Sequence, residues 1–130
     1  MNKYSYVESS ILSLFGTTEW TDHNIKTLPS NFQTTDLEFI RLTFFHRNEG
    51  LNFDSGKLII DIYAAAQVGT KRITEISDKL DSLLVKKSFQ VDANSLQIGE
   101  SNLQYLGFNQ SNPTQYAALY SVEFKLFRSI

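Results

Sequence analysis

Cysteine is absent from this chain, which excludes disulfide frameworks, thiolate metal sites and thiol catalysis together, and suits a reducing compartment. No window of the sequence approaches the length of a membrane span, and the opening MNKYSYVESS lacks the apolar core of a signal peptide. The chain therefore reads as a soluble protein of the cytosol. Charge of one sign is also missing: 12 basic residues stand against 14 acidic ones, a net of −2. That leaves no basic field able to hold DNA or RNA by phosphate neutralisation. Internal repeats and low-complexity tracts are absent, and 130 residues suit a single domain with one core, spanning residues 1–130.

Catalytic signatures are equally scarce. His23 and His46 are the two histidines, and no spacing brings them together with Asp22 or Asp36 as metal ligands would require. There is no GxSxG nucleophile turn. The GTK at Gly69 to Lys71 lacks the upstream glycine and the following Ser or Thr of a phosphate loop. Neither a cofactor nor a metal is expected, and the chain does not read as an enzyme. Asp61 stands out as the acidic residue inside a strongly apolar strand. Facing a closed cavity it would be an acid or base of raised pKa; facing solvent or a second subunit it would be an ordinary polar position.

What is present is periodicity, and it is clearest from Gly56 to Leu84, GKLIIDIYAAAQVGTKRITEISDKLDSLL. Leu58, Ile60, Ile62 and Ala64 alternate against Ile59, Asp61 and Tyr63, the period of a strand. From Ile73 the period lengthens: Ile76, Leu80, Leu83 and Leu84 share one side of a helix, with Lys71, Arg72, Glu75, Asp78, Lys79 and Asp81 on the other. Thr70 is placed to cap that helix. An earlier helix is predicted from about Ser5 to Phe15 on Tyr4, Val7, Ile11, Leu14 and Phe15, stopped by Gly16 in the left-handed conformation.

Thr17 to Thr35 has no sustained period and reads as a long loop. Trp20, Ile25, Leu28 and Phe32 either pin it to the core or meet a neighbouring subunit. Leu37 to His46 is a strand, and RNEGLNFDSG, Arg47 to Gly56, is read as its hairpin connection, with Leu51 and Phe53 in a protruding tip that either folds back or awaits a neighbour. Ser88 to Asp92 alternates briefly, and SLQIGESNLQYLGF reads as a strand interrupted near Gly99 to Asn102. The last segment alternates throughout: Tyr116, Ala118, Tyr120, Val122, Phe124 and Leu126 line one face. Ten Phe, 6 Tyr and 1 Trp suit strands with two usable faces, and also a surface partly buried by copies of itself. The expected fold is α+β, an antiparallel (mixed) β-sheet of about four to five strands with two α-helices packed on one face.

The strand with an acidic position, a small turn, a basic pair and the helix RITEISDKLDSLL, together with the closing YAALYSVEFKLF, resembles the tail terminator (tail completion) proteins of long-tailed bacteriophages. The likeness runs from about Tyr4 to Phe127. It implies a tail-terminator-like domain and a structural virion protein. Such a protein forms a homohexameric ring on the end of the tail tube, stops tube polymerisation and presents the surface to which the head-to-tail connector or neck protein binds. Its partners would be itself, the tail tube protein and the connector. Genomic DNA would pass through without specific binding, no membrane is involved, and the protein would be made in the host cytoplasm and reside at the neck end of the tail.

A head-to-tail ring needs two different complementary patches on each subunit. Trp20, Phe32, Leu51 and Phe53 are the expected subunit-interface residues, and Glu49 and Asp54 the expected bore-lining residues if the hairpin points inward. Two other readings stay open. One is a small ligand-binding or enzyme domain with a pocket lined by Asp61, Tyr63 and His46. The other is a phage head-completion or neck protein.

Overall fold

The structure, a computed structural model, describes residues 3–29, 32–48, 53–91 and 94–127. Its elements run α1 (Lys3–Phe15), α2 (Thr18–Thr21), β1 (Thr27–Pro29), β2 (Phe39–Asn48), β3 (Phe53–Ala65), α3 (Gly69–Leu84), β4 (Ser88–Val91), β5 (Asn94–Asn109) and β6 (Asn112–Phe127). The strands form one six-stranded sheet in the order β1-β2-β3-β6-β5-β4. All neighbours are antiparallel except β1, which runs parallel to β2. The α+β class and the mixed, mainly antiparallel sheet are as expected. The counts are higher, at six strands and three helices among the described residues.

The sheet's alternation decides which face is covered. Leu58, Ile60, Ile62 and Ala64 of β3 and Ala118, Tyr120, Val122, Phe124 and Leu126 of β6 are buried, as the period of two requires. Against them lies α3, whose Ile73, Ile76, Leu80, Leu83 and Leu84 are each no more than 1% exposed. At roughly 2 kcal/mol per buried aliphatic side chain, that stripe contributes on the order of 10 kcal/mol before ordering entropy, as an upper figure. Val7, Ile11 and Phe15 of α1 join the same core. Because a thirteen-residue helix is marginal alone, this docking is what sustains it. Both longer helices thus lie on one face of the sheet.

Polar contacts fix their positions. Glu8 of α1 and His46 of β2 meet at 2.7 Å, with Tyr4 edge-on to the imidazole at 4.7 Å. Lys3 approaches Asp54 at 3.7 Å. On the other flank, the Tyr120 hydroxyl and the Ser101 hydroxyl both donate to Asp81 Oδ1, each at 2.6 Å. Arg72 holds Glu38 through two nitrogens, at 2.6 and 3.0 Å.

Several local expectations need correction. Gly16 is not left-handed; α1 instead tightens at its end, with Gly16 N–H donating to Ser13 and the Thr17 hydroxyl to the Leu14 carbonyl. Thr70 lies inside α3, behind Val68 at the cap position, and makes no side-chain cap. The loop from Thr17 to Thr35 contains α2 and β1. Trp20, 2% exposed, anchors it through an indole N–H to Thr27 at 2.9 Å and an edge-on contact with Phe15. The Arg47 to Gly56 connection is mostly strand, since β2 continues to Asn48 and β3 begins at Phe53. The interruption expected near Gly99 is a bulge between Ile98 and Ser101, and a second falls between Tyr105 and Gly107. Gly107 adopts φ +87°, a conformation that glycine supplies without strain.

Candidate interaction surface

Among the described residues no helix covers the second face of the sheet, which is where the structure concentrates what its core does not use. Its central row runs Arg41, Asp61 and Leu119 across β2, β3 and β6. Phe39 and Tyr63 stack beside it with centroids 4.7 Å apart, and the Arg41 guanidinium lies 5.3 Å from the Phe39 ring. One end of this face is closed over by the segment ahead of β2: Gln115 donates to the carbonyls of Asp36 and Leu37 at 3.3 and 3.1 Å. Lys26 to Asp36 at 2.7 Å holds that segment in place. The same lysine, by hydrogen bond and charge, keeps the Asp36 carboxyl below the ordinary aspartate range.

The other end is open. There a groove of about 770 Å³ is walled by Phe45, Phe53, Lys57, Ile59, Glu123 and Lys125. Phe45 is 57% exposed and Ile59 half-buried. Phe53 tilts against Phe127 at 5.2 Å, with the Lys125 ammonium 6.0 Å from the Phe53 ring. Lys57 and Glu123 face each other at 4.0 Å. The charges alternate in sign around an aromatic and aliphatic floor, a composition that suits a protein contact with an apolar centre and a polar rim.

Burial sets the electrostatics at the centre of the face. Burial raises the Asp61 carboxyl above its ordinary range, and the Arg41 charge only partly offsets this. Tyr63 is raised by burial and by the neighbouring Asp61 charge. The Arg41 Nε is buried and has no hydrogen-bond partner among the described residues. A buried donor without a partner costs about 1–3 kcal/mol, and an acceptor brought by another molecule would remove that cost.

The anticipated site residues are scattered. Trp20 belongs to the subunit's own core and is not an exposed interface residue. Asp54 is buried at 7% exposure beside Lys3, so it does not present a carboxylate to a bore. Phe32 is 56% exposed and Phe53 lines the groove. Leu51 and Glu49 lie outside the described residues. Asp61 and Tyr63 lie on the open face, whereas His46 points to the helices and Phe124, its ring 5.8 Å from that phenyl; the three do not line one pocket. His23 sits edge-on to Trp20, and among the described residues no group of three or more His, Asp and Glu side chains is gathered as for a metal.

Sequence reasoning passed over the second half of β5. Tyr105, Leu106 and Phe108 are 44%, 54% and 63% exposed. The signal was legible: from Ser101 to Val122 the chain carries no charged residue.

No protein-family model matches the chain, and no curated protein matches it in sequence. Solved structures match it in fold, in four chains. One of these, whose name states no function, superposes with a TM-score of 0.65 over 98% of this chain and 94% of its own, at 9% identity. A likeness at that identity shows the fold alone, since one fold hosts many functions.

Proposed function

We propose that the protein is a structural virion subunit, a tail terminator that assembles with copies of itself into a ring on the tail tube. There it stops polymerisation and offers the attachment surface for the head-to-tail connector. The observation that carries the self-assembly is the sheet face that no helix covers among the described residues, with its aromatic groove at Phe45 and Phe53 and the buried Arg41 Nε that has no hydrogen-bond partner among them. Groups of this kind are satisfied when a second protein surface closes over them. The assignment to the tail terminator rests on the resemblance of the β3–α3 unit and of β6. In this reading the groove residues Phe45 and Phe53, with Phe127 packed against Phe53, replace Trp20 as the contact aromatics, and the ring is homohexameric. DNA passes through it without specific binding, in keeping with a net charge of −2.

The test is tube growth. Purified tail tube protein is polymerised with and without this chain, and lengths are scored by electron microscopy. Arrest of growth, with a ring at one end only, supports the reading. Tubes that lengthen equally in both samples overturn it.

A further inference from the structure

The sheet has two edges, and among the described residues each is paired over only part of its length. β1 pairs with Ile40, Arg41 and Leu42 of β2, so from Thr43 on β3 is the one strand paired with β2 among the described residues. β4 pairs with Asn94 to Gln97 of β5, and the Ile98 amide is taken by the Lys87 carbonyl. From Ser101 to Phe108 the described strand partner of β5 is β6 alone, while the Ser101 and Tyr105 hydroxyls reach Asp81 and Thr74 of α3.

Reading the register across the sheet shows where these stretches lie. Tyr105 is level with Ala118, Ile62 and Ile40, so the open part of β5 lies opposite the part of β2 that β1 covers. Gln97 is level with Lys125, Ser55 and Arg47, so the open part of β2 lies opposite the part of β5 that β4 covers. The two open stretches are therefore at opposite ends of opposite edges.

Proteins usually blunt an open edge with lysine, proline or a very short strand. This β5 edge has its bulges but no charge from Ser101 to Asn109. It presents Tyr105, Leu106 and Phe108, and the β2 edge presents Phe45.

We infer that the open half of β5 in one copy adds as an antiparallel strand to the open half of β2 in the next copy, making the ring contact a continuous β-sheet. This rests on the self-assembly proposed above and names the segments that perform it. Running β2 up, β3 down, β6 up and β5 down puts β5 antiparallel to a neighbour's β2 when the second copy is set beside the first in the same orientation. The midpoints of the open stretches differ by about five residues along the strands, so the neighbour must be displaced by roughly 16 Å.

Displaced in that way, the neighbour's β1 passes beyond the β5–β6 turn, and β4 lies beyond the end of the neighbour's β2. The short strands then guide the contact instead of blocking it. Four strand columns of about 4.8 Å separate successive copies, so the shift corresponds to a strand tilt of about 40°, within the range that closed sheets adopt. The contact is heterologous, and repeating it with rotation closes a ring. The exposed parts of Phe45, Tyr105, Leu106 and Phe108 amount to on the order of 400 Å², about half of one side of a standard interface, and two strand backbones supply the rest.

Alternation constrains the register. Thr43, Phe45 and Arg47 face the side away from the helices, as do Asn102 and Gln104. Those residues must meet each other, while Phe44 and His46 meet Ser101, Leu103 and Tyr105.

A chain without cysteine makes the test direct. Gln104→Cys is combined in turn with Thr43→Cys, Phe45→Cys and Arg47→Cys, and the full chain is oxidised mildly with tail tubes present and absent. Mass in solution and thermal unfolding are checked for each variant. At least one double variant is expected to give a covalent ladder ending at the ring number, while each single variant and the opposite-face control Gln104→Cys with Phe44→Cys give none. Covalent dimers from Gln104→Cys alone would mean two-fold pairing of β5 with itself and overturn the inference. Cross-links to tube protein in place of a second copy would do the same. Rings that form by mass, yet give no ladder in any double variant, would overturn the edge contact and leave the terminator reading standing. Absence of rings under both conditions would remove the terminator reading itself.

Discussion

Gly56 sits on the helix side of β3, paired with His46 on one neighbour and Phe124 on the other. A Cβ built there would overlap the Phe45 carbonyl oxygen and lie 2.5 Å from Cζ and 2.8 Å from Cε1 of the Phe124 ring. The Phe124 ring packs edge-on to the imidazole of His46, 5.8 Å away between centroids, and the carbonyl can move only if β2 separates from β3. Overpacking of a core costs about 1–3 kcal/mol when side chains can give. Here a backbone atom must give as well, so Gly56→Ala should cost about 3 kcal/mol.

With an unfolding entropy of about 2.1 cal/mol/K per residue over 130 residues, that is a fall in Tm of about 11 °C. Urea unfolding followed by Trp20 fluorescence reads the same quantity, provided the slope with denaturant is unchanged. Adding Phe124→Leu relieves the ring overlap but not the carbonyl, so the double variant should be less unstable than the sum of the two single ones, yet still well below the parent. A Gly56→Ala chain within about 1 kcal/mol of the parent would show that β2, β3 and β6 do not meet as closely as described.

Three further outcomes are expected. Asp61→Asn should raise Tm at neutral pH, because burial holds the folded carboxyl above its ordinary pKa. The native state therefore binds more protons, stability falls as pH rises through the raised value, and the gain from Asn should vanish below pH 3.8; an unchanged Tm at neutral pH contradicts this. Tyr120→Phe removes the hydroxyl bond to Asp81 and should cost about 1 kcal/mol. Since burial and the Asp81 contact raise the Tyr120 phenol, its ultraviolet ionisation signal should be missing from alkaline titrations until the chain unfolds. Leu106→Lys, at a position already 54% exposed, should leave Tm unchanged while preventing assembly, as a charge on an open edge does; intact assembly by sizing would refute the role given to that edge.

The parts legible in the sequence were those whose own period is strong. α3, β6 and the Leu58 to Ala64 part of β3 each alternate or repeat without a break, so their buried faces follow residue by residue. α2 and β1 were not legible because four and three residues carry no period. They exist through contacts made elsewhere, chiefly the burial of Trp20 and its bond to Thr27. The exposed aromatic and the core anchor have the same sequence signature, so both places stayed open for Trp20, and the one it takes is the core. Phe53 was assigned to a loop because the polar Asn, Asp and Ser around it imitate a turn, whereas pairing with β6 makes the segment a strand. Ties such as Gln115 to Leu37, 78 residues apart, leave no local trace. The open face could be anticipated from Asp61 and Arg41 in apolar strands. Its groove could not, because it is assembled from three strands.

Self-association is the claim on which the rest depends, and the mass of the purified protein in solution tests it most directly. Light scattering behind a sizing column, over a range of concentrations with and without tail tubes, should find a closed ring near six subunits or a monomer that forms rings once tubes are added. A monomer or dimer at every concentration that ignores tubes, and gains thermal stability with a small molecule, would contradict the account.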